Sequence, residues 1–168
     1  MTAGFTVWVT GPDELLLQEV AGAIAARLAA RGIPTETLDG RTPGIEALWG
    51  DGLAGRVAFV ASTLARRGIA TVVAVPADRR AERAHARALL ERMIEVYVRP
   101  ASAVPRAGYE PPERPEVEIT APEAPGAGAE RALRTLEILK LLPRGAETAY
   151  SEEEEREVLR RLKGFGYI

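Results

Sequence analysis

The stretch Gly4 to Ala21, GFTVWVTGPDELLLQEVA, constrains the fold more than any other part of this chain. Phe5, Val7, Trp8 and Val9 form a short β-branched and aromatic run, the composition of a strand buried on both faces of a parallel sheet. Gly11-Pro12-Asp13 breaks the run, and Leu16, Leu17, Val20 and Ile24 then recur at helical spacing. A strand, a tight turn and a helix follow one another directly.

The remaining segments repeat that alternation. The first helix is expected from Asp13, as N-cap, to Arg31, stopped by Gly32. Thr35 to Leu38 alternates as an edge strand would and ends at Asp39-Gly40. Arg41 to Gly55 reads as a loop with one brief helix, Arg56 to Arg67 as a helix, and Ala70 to Val75 as a buried strand. A basic helix is expected from Asp78 to Arg92 and a strand from Ile94 to Val98. The proline-rich connection Arg99 to Pro115 cannot be a long helix. A short strand, Glu116 to Thr120, and a helix, Ala129 to Leu142, complete the pattern. Five strands alternating with helices specify an α/β fold, a doubly wound five-stranded parallel sheet with flanking helices.

Such a sheet needs a core on each face. With 168 residues, 46% of them hydrophobic, the chain suffices for one α/β domain and a small appendage. The expected division is a domain over 1–142, a linker over 143–150 and a C-terminal helix over 151–168. Ser151 and Glu154 form a capping box for that helix, and Phe165, Tyr167 and Ile168 make an apolar tip that should dock on the domain.

Composition excludes several classes of function. There are 22 Lys and Arg against 24 Asp and Glu, a net charge of -2, so no global field recruits nucleic acid or an anionic membrane. The absence of cysteine removes disulfides, thiolate metal sites and cysteine nucleophiles, and the single histidine, His85, rules out a histidine metal cage. No metal site is expected. No apolar run is long enough to span a bilayer and no secretory signal opens the chain, so a cytoplasmic location is expected.

A strand-to-helix turn of this kind cradles phosphate in many proteins. The cradle needs glycines that let backbone N–H groups point at the anion, a lysine for the outer phosphates and a Ser or Thr for magnesium. After Gly11 none of these is present.

GFTVWVTG, then LDG at Leu38 to Gly40, MIEVYV at Met93 to Val98 and YEPPERPEVEI at Tyr109 to Ile119 together resemble the adenylylsulfate kinase family, in order and spacing, over roughly residues 4–142. YEPPERPEV is the most specific piece. The resemblance implies a P-loop kinase fold with the first strand central in a five-stranded parallel sheet. Family members use magnesium ATP to phosphorylate the ribose 3′-hydroxyl of adenylylsulfate.

Three departures accompany the resemblance. The family loop has the form G-x-S-G-A-G-K-S-T. Here Gly11 keeps the first glycine, Glu14 and Leu16 stand at two glycine positions, Leu17 at the lysine, and Gln18 and Glu19 at Ser and Thr. A Cβ resists the backbone geometry of those glycines, and Glu14 and Glu19 bring negative charge toward the phosphate position. The family's L-D-G-D element survives as Leu38-Asp39-Gly40 but continues with the cation Arg41. Arg56 matches a substrate-contacting arginine, while the neighbouring asparagine has become Leu53. Between Val98 and Tyr109 the family carries a long basic lid that is missing here.

The expectation is therefore an inactive adenylylsulfate-kinase-like protein, without cofactor and with ATP and Mg2+ binding lost or weak, acting as a regulatory or assembly partner in sulfate activation. It would bind a protein partner or form a homodimer. The alternatives are a sensor for ATP, adenylylsulfate or its 3′-phosphorylated product, and an active kinase with a non-standard phosphate loop that draws on Arg41 or the Arg79 region. Asp39, Arg41, Arg56, Arg80, Tyr109 and Glu110 are the candidate ligand residues, and Asp39 is the relic catalytic acid. Plainer readings stand beside these: Leu17 as a core residue, Arg79 to Arg92 as a solvated helix face, His85 as an exposed histidine, Asp39 as a turn residue, and Tyr109 to Pro112 as a rigid turn.

Overall fold

The computed structural model describes residues 3–101, 107–121, 123–143 and 152–166. Five strands, β1 (Thr6–Thr10), β2 (Thr35–Asp39), β3 (Ala70–Ala74), β4 (Met93–Arg99) and β5 (Val117–Thr120), pair in parallel in the order β2-β3-β1-β4-β5. The first strand is central, and every residue of β1 is buried, as its unbroken apolar and threonine run requires.

Side chains of β1 alternate between two cores. Val7 and Val9 face α1 (Glu14–Ala30) and α4 (Pro125–Ile138), together with Val20, Ile24, Leu133 and Leu136. Trp8 faces α2 (Leu53–Arg66) and α3 (Arg80–Leu89), with Val57, Val73, Ala86 and Met93. Each fully buried Val, Leu or Ile contributes about 1.5–3 kcal/mol, so the two layers clamp the sheet from both sides.

Helix boundaries follow local chemistry. Asp13 caps α1, its Oδ1 accepting from Leu16 N at 3.1 Å, and Arg31 ends it. A 3-10 turn, Ile45–Leu48, is the brief helix of the second loop. α2 begins at Leu53, three residues before the sequence expectation, because Gly52 turns at φ +81° and releases the buried pair Leu53 and Ala54 into the helix. α3 is shorter than expected, with Arg79 and Leu90 both extended at its ends. α4 starts at Pro125, a residue suited to the first helical position, and ends before Lys140, which adopts φ 58°.

α5 (Glu152–Gly164) lies beside α4, with Leu162 fully buried and Arg134 bonded to Glu154 at 2.7 Å. The linker residues 144–150, the Ser151 cap, Tyr167 and Ile168 lie outside the described residues. Among the described residues no helix is long and apolar enough to cross a membrane.

Candidate functional site

Parallel sheets present their ligand crevices beyond the carboxyl ends of the strands, where strand order reverses. Here that edge holds the β1–α1 turn, the β2 end at Asp39 to Arg41, and the segment Tyr109 to Pro112.

The β1–α1 turn is closed on itself. A Cβ at Gly11 would stand 2.5 Å from the Val98 carbonyl oxygen, so the glycine is required by close backbone approach to β4. Asp13 places its carboxylate on Leu16 N, and Leu17 N bonds to Asp13 O at 3.0 Å. An internal carboxylate thus takes the helix N-terminus where an external anion would otherwise bind. Leu17 is core, at 4% exposure, while Leu15 stands 74% exposed. The Glu14 and Gln18 side chains and the Trp49 ring converge over Gly40, where a Cβ would lie 3.1, 3.6 and 3.9 Å from them. Glu19 is exposed.

Asp39 is buried and saturated by its own turn. Its Oδ1 accepts from Arg41 N at 2.8 Å and its Oδ2 from Arg41 Nη2 at 2.7 Å and Nε at 3.3 Å. The carboxylate raises the Arg41 guanidinium above its ordinary value, chiefly through the hydrogen bond, and the Arg41 side chain remains 63% exposed. Arg56 is spent on the loop that precedes its helix: it donates to the carbonyls of Leu48, Trp49 and Asp51 at 2.9, 3.3 and 2.7 Å.

The Tyr109 segment is held from several elements. Tyr109 Oη and Thr10 Oγ1 are hydrogen-bonded at 3.0 Å, tying the segment to the end of β1. Its ring stacks 6.2 Å from that of Tyr97, with the Arg83 guanidinium 5.3 Å from its centroid. Burial pushes the Tyr109 phenol up to about 12, against the opposing pull of the Thr10 hydrogen bond and Arg83. Glu110 accepts from Arg80 N at 2.8 Å through Oε2, and its carbonyl accepts from Arg83 Nη2. Arg80 also donates to Pro111 O at 2.7 Å and Glu113 at 2.9 Å.

The basic helix is not a uniformly solvated face. Arg83 is 3% exposed and bonds Glu95 on β4 at 3.0 Å and the Ala77 carbonyl at 2.6 Å. Arg87 pairs with both oxygens of the buried Glu116, at 2.9 and 3.1 Å. The sequence reading missed this network. Its signal was Glu95, a carboxylate inside the otherwise apolar run of β4, where a buried charge needs a cation opposite. His85 is exposed, as read, and lies against Gly55 of α2.

The turn as built does not fit the phosphate cradle described for the family: Leu17 replaces the lysine, Asp13 occupies the Leu16 amide of the first turn and Glu14 adds a like charge. The structure brings Gly11, Glu14, Gln18, Asp39 and Arg41 to one edge, directs Leu17 to the core, and commits Arg56, Arg80, Tyr109 and Glu110 to holding loops.

The sheet order and flanking helices define the class as a P-loop kinase fold. The hexameric APS kinase of Thiobacillus denitrificans shares it with a TM-score of 0.68 at 30% identity, over 86% of this chain and 31% of that longer one. A Mycobacterium tuberculosis APS kinase, solved in complex with AMPPNP and APS, matches the fold with a TM-score of 0.68 at 22% identity, over 82% of this chain and 99% of that one. The family model described as adenylylsulphate kinase matches residues 51–108. The adenylyl-sulfate kinase of Synechococcus sp. (strain JA-3-3Ab) is 31% identical over 145 residues, covering 68% of this chain and 82% of that protein.

This chain belongs to the adenylylsulfate kinase family. Two sequence expectations are corrected accordingly. The reading as a non-enzyme is overturned by relatives that are named as kinases. The reading of no cofactor is overturned with it, by the same kinase relatives. The physical reason is that loss of a motif removes one way of holding phosphate and leaves the carboxyl edge of the sheet in place.

Proposed function

We propose that the chain is a divergent adenylylsulfate kinase, transferring a phosphoryl group from ATP to the ribose 3′-hydroxyl of adenylylsulfate. Arg41 provides the anion-facing cation that the β1–α1 turn lacks. The observation that carries the reading is the Asp39–Arg41 pair: a buried carboxylate at the end of β2 anchors a guanidinium that stays 63% exposed beside the turn, across Gly40 from Glu14 and Gln18. A guanidinium held by one side keeps donors free for phosphate oxygens on the other. The same reading has the chain acting in sulfate activation in the cytoplasm as a homo-oligomer, supported by the hexameric Thiobacillus relative.

The test incubates the protein with magnesium ATP and adenylylsulfate and quantifies the 3′-phosphorylated product. Product formation above a no-enzyme control is expected, with Arg41→Gln lowering kcat/KM by roughly 100- to 1,000-fold, the scale of removing one charge-stabilising donor. A folded protein giving no product overturns the reading. Calorimetric binding of ATP or adenylylsulfate without turnover would then establish a nucleotide sensor instead.

A further inference from the structure

We infer that the opposite, amino-terminal edge of the sheet carries a second site, for a small tetrahedral oxyanion, sulfate or phosphate, formed by Thr6, Ser62, Arg66 and Arg92. A pocket of about 250 Å³ opens there between the start of β1, the end of α2 and the start of β4. That volume is below the usual range for organic ligands, about 300–1,000 Å³, and suits an ion with a few waters. β1 is five residues long, so at about 3.3 Å per residue the pocket lies roughly 16 Å from the β1–α1 turn. The two edges are separate sites.

The pocket is framed by backbone contacts. Gly4 N donates to Ala65 O and Thr6 N to Arg92 O, both at 2.8 Å. A Cβ at Gly4 would stand 2.2 Å from Ile69 O and 2.8 Å from Ala65 Cα, so only glycine allows this approach of the chain to α2. These contacts set Arg66 on α2 and Arg92 before β4 around one opening.

Two polar atoms of the lining residues have no hydrogen-bond partner among the described residues. Thr6 is fully buried, and its Oγ1 has no hydrogen-bond partner among the described residues. The buried Nε of Arg92 has none either, while Arg92 Nη2 donates to Leu141 O at 3.3 Å. Arg66 donates only to the neutral hydroxyls of Ser62 and Thr63, at 3.2 and 3.3 Å. Among the described residues neither arginine has a carboxylate partner; Glu91, exposed at the rim, is the one acidic residue lining the pocket. Two guanidinium groups and a buried hydroxyl call for a compact anion with several acceptor oxygens.

The test follows backbone amide shifts of the full chain by NMR during titration with sodium sulfate, at ionic strength held constant with chloride. A parallel arm uses inorganic phosphate, which separates the two sources of the same chemistry. Saturable shifts are expected at Gly4, Thr6 and Arg92 in at least one arm. Arg66→Gln and Arg92→Gln should each weaken binding by about tenfold, the effect of one charge-assisted contact. Thr6→Val should also weaken binding, and should raise the melting temperature in the absence of the anion. Shifts linear in anion concentration, saturation confined to Gly11 through Leu17, or unchanged affinity in both arginine variants would overturn the site. If Arg92→Gln fails to fold, Arg66→Gln, on the exposed end of α2, decides alone.

Discussion

The β1–α1 turn and the Tyr109–Pro115 segment adjoin at the carboxyl edge of the sheet, joined by the Thr10–Tyr109 hydrogen bond, and they satisfy their polar groups in opposite ways. In the turn the partners are sequence neighbours: Asp13 caps Leu16 N, and beside the turn, at the end of β2, Asp39 likewise holds Arg41, two residues on. In the segment they are distant: Arg80 reaches Glu113, Arg83 reaches Glu95 and the Glu110 carbonyl, Arg87 reaches Glu116, and Tyr109 reaches Thr10. Locally satisfied groups can exchange partners without disturbing the core, whereas long-range pairs open only with the elements they join. The turn is thus the part of the site that a ligand can rearrange, and the segment is its fixed wall.

Arg83 gives the largest expected effect. Arg83→Ala leaves Glu95 buried without its main cation, and breaking a buried pair in this way costs about 3–5 kcal/mol. Urea unfolding should show the loss. A cost below about 1 kcal/mol, the range of exposed pairs, would dissolve the contrast between wall and turn.

Tyr109→Phe sharpens it next. The variant strands the buried Thr10 hydroxyl, at about 1–3 kcal/mol. It also changes the pH profile. Burial raises the phenol from 10.0 to about 12, so the folded state favours the neutral form. Its contribution is complete below pH 10 and is lost as pH rises from 10 to about 12. Stability measured across that window should fall less steeply in Tyr109→Phe than in the parent. An identical slope would mean that the phenol is not buried.

Elements defined by near neighbours were readable in the sequence. The alternation of strands and helices, the Asp13 cap and the edge position of Thr35 to Leu38 follow from patterns a few residues long, while the central first strand comes from the family resemblance. The arginines of α3 were misread because Arg83 and Arg87 have the helical spacing of a solvated face, and their partners lie on β4 and before β5. Gly11, read as the remnant of a phosphate motif, also meets a packing demand that the sequence does not display, the close approach of Val98 O. Arg56 reads as a ligand residue from its match to the family and Arg80 from its basic run; the structure adds partners unseen in the sequence, backbone carbonyls for Arg56 and the Pro111 carbonyl and Glu113 carboxylate for Arg80.

The smallest expected effect addresses the turn itself. Asp13→Ala removes the N-cap of α1 and should cost about 1 kcal/mol, because Leu16 N–H then has only water. The same change vacates the helix N-terminus, where the peptide dipoles favour an anion and Glu14 remains the one acidic residue of the first turn. If the turn is adaptable, pyrophosphate should raise the melting temperature of Asp13→Ala more than that of the parent, and Asp13→Ala combined with Glu14→Gln should respond more strongly still. Arg83→Ala, which leaves the turn intact, should respond as the parent does. Equal responses in all four proteins would show that Asp13 does not occupy an anion position, and the difference between the two halves of the edge would then be one of stability alone.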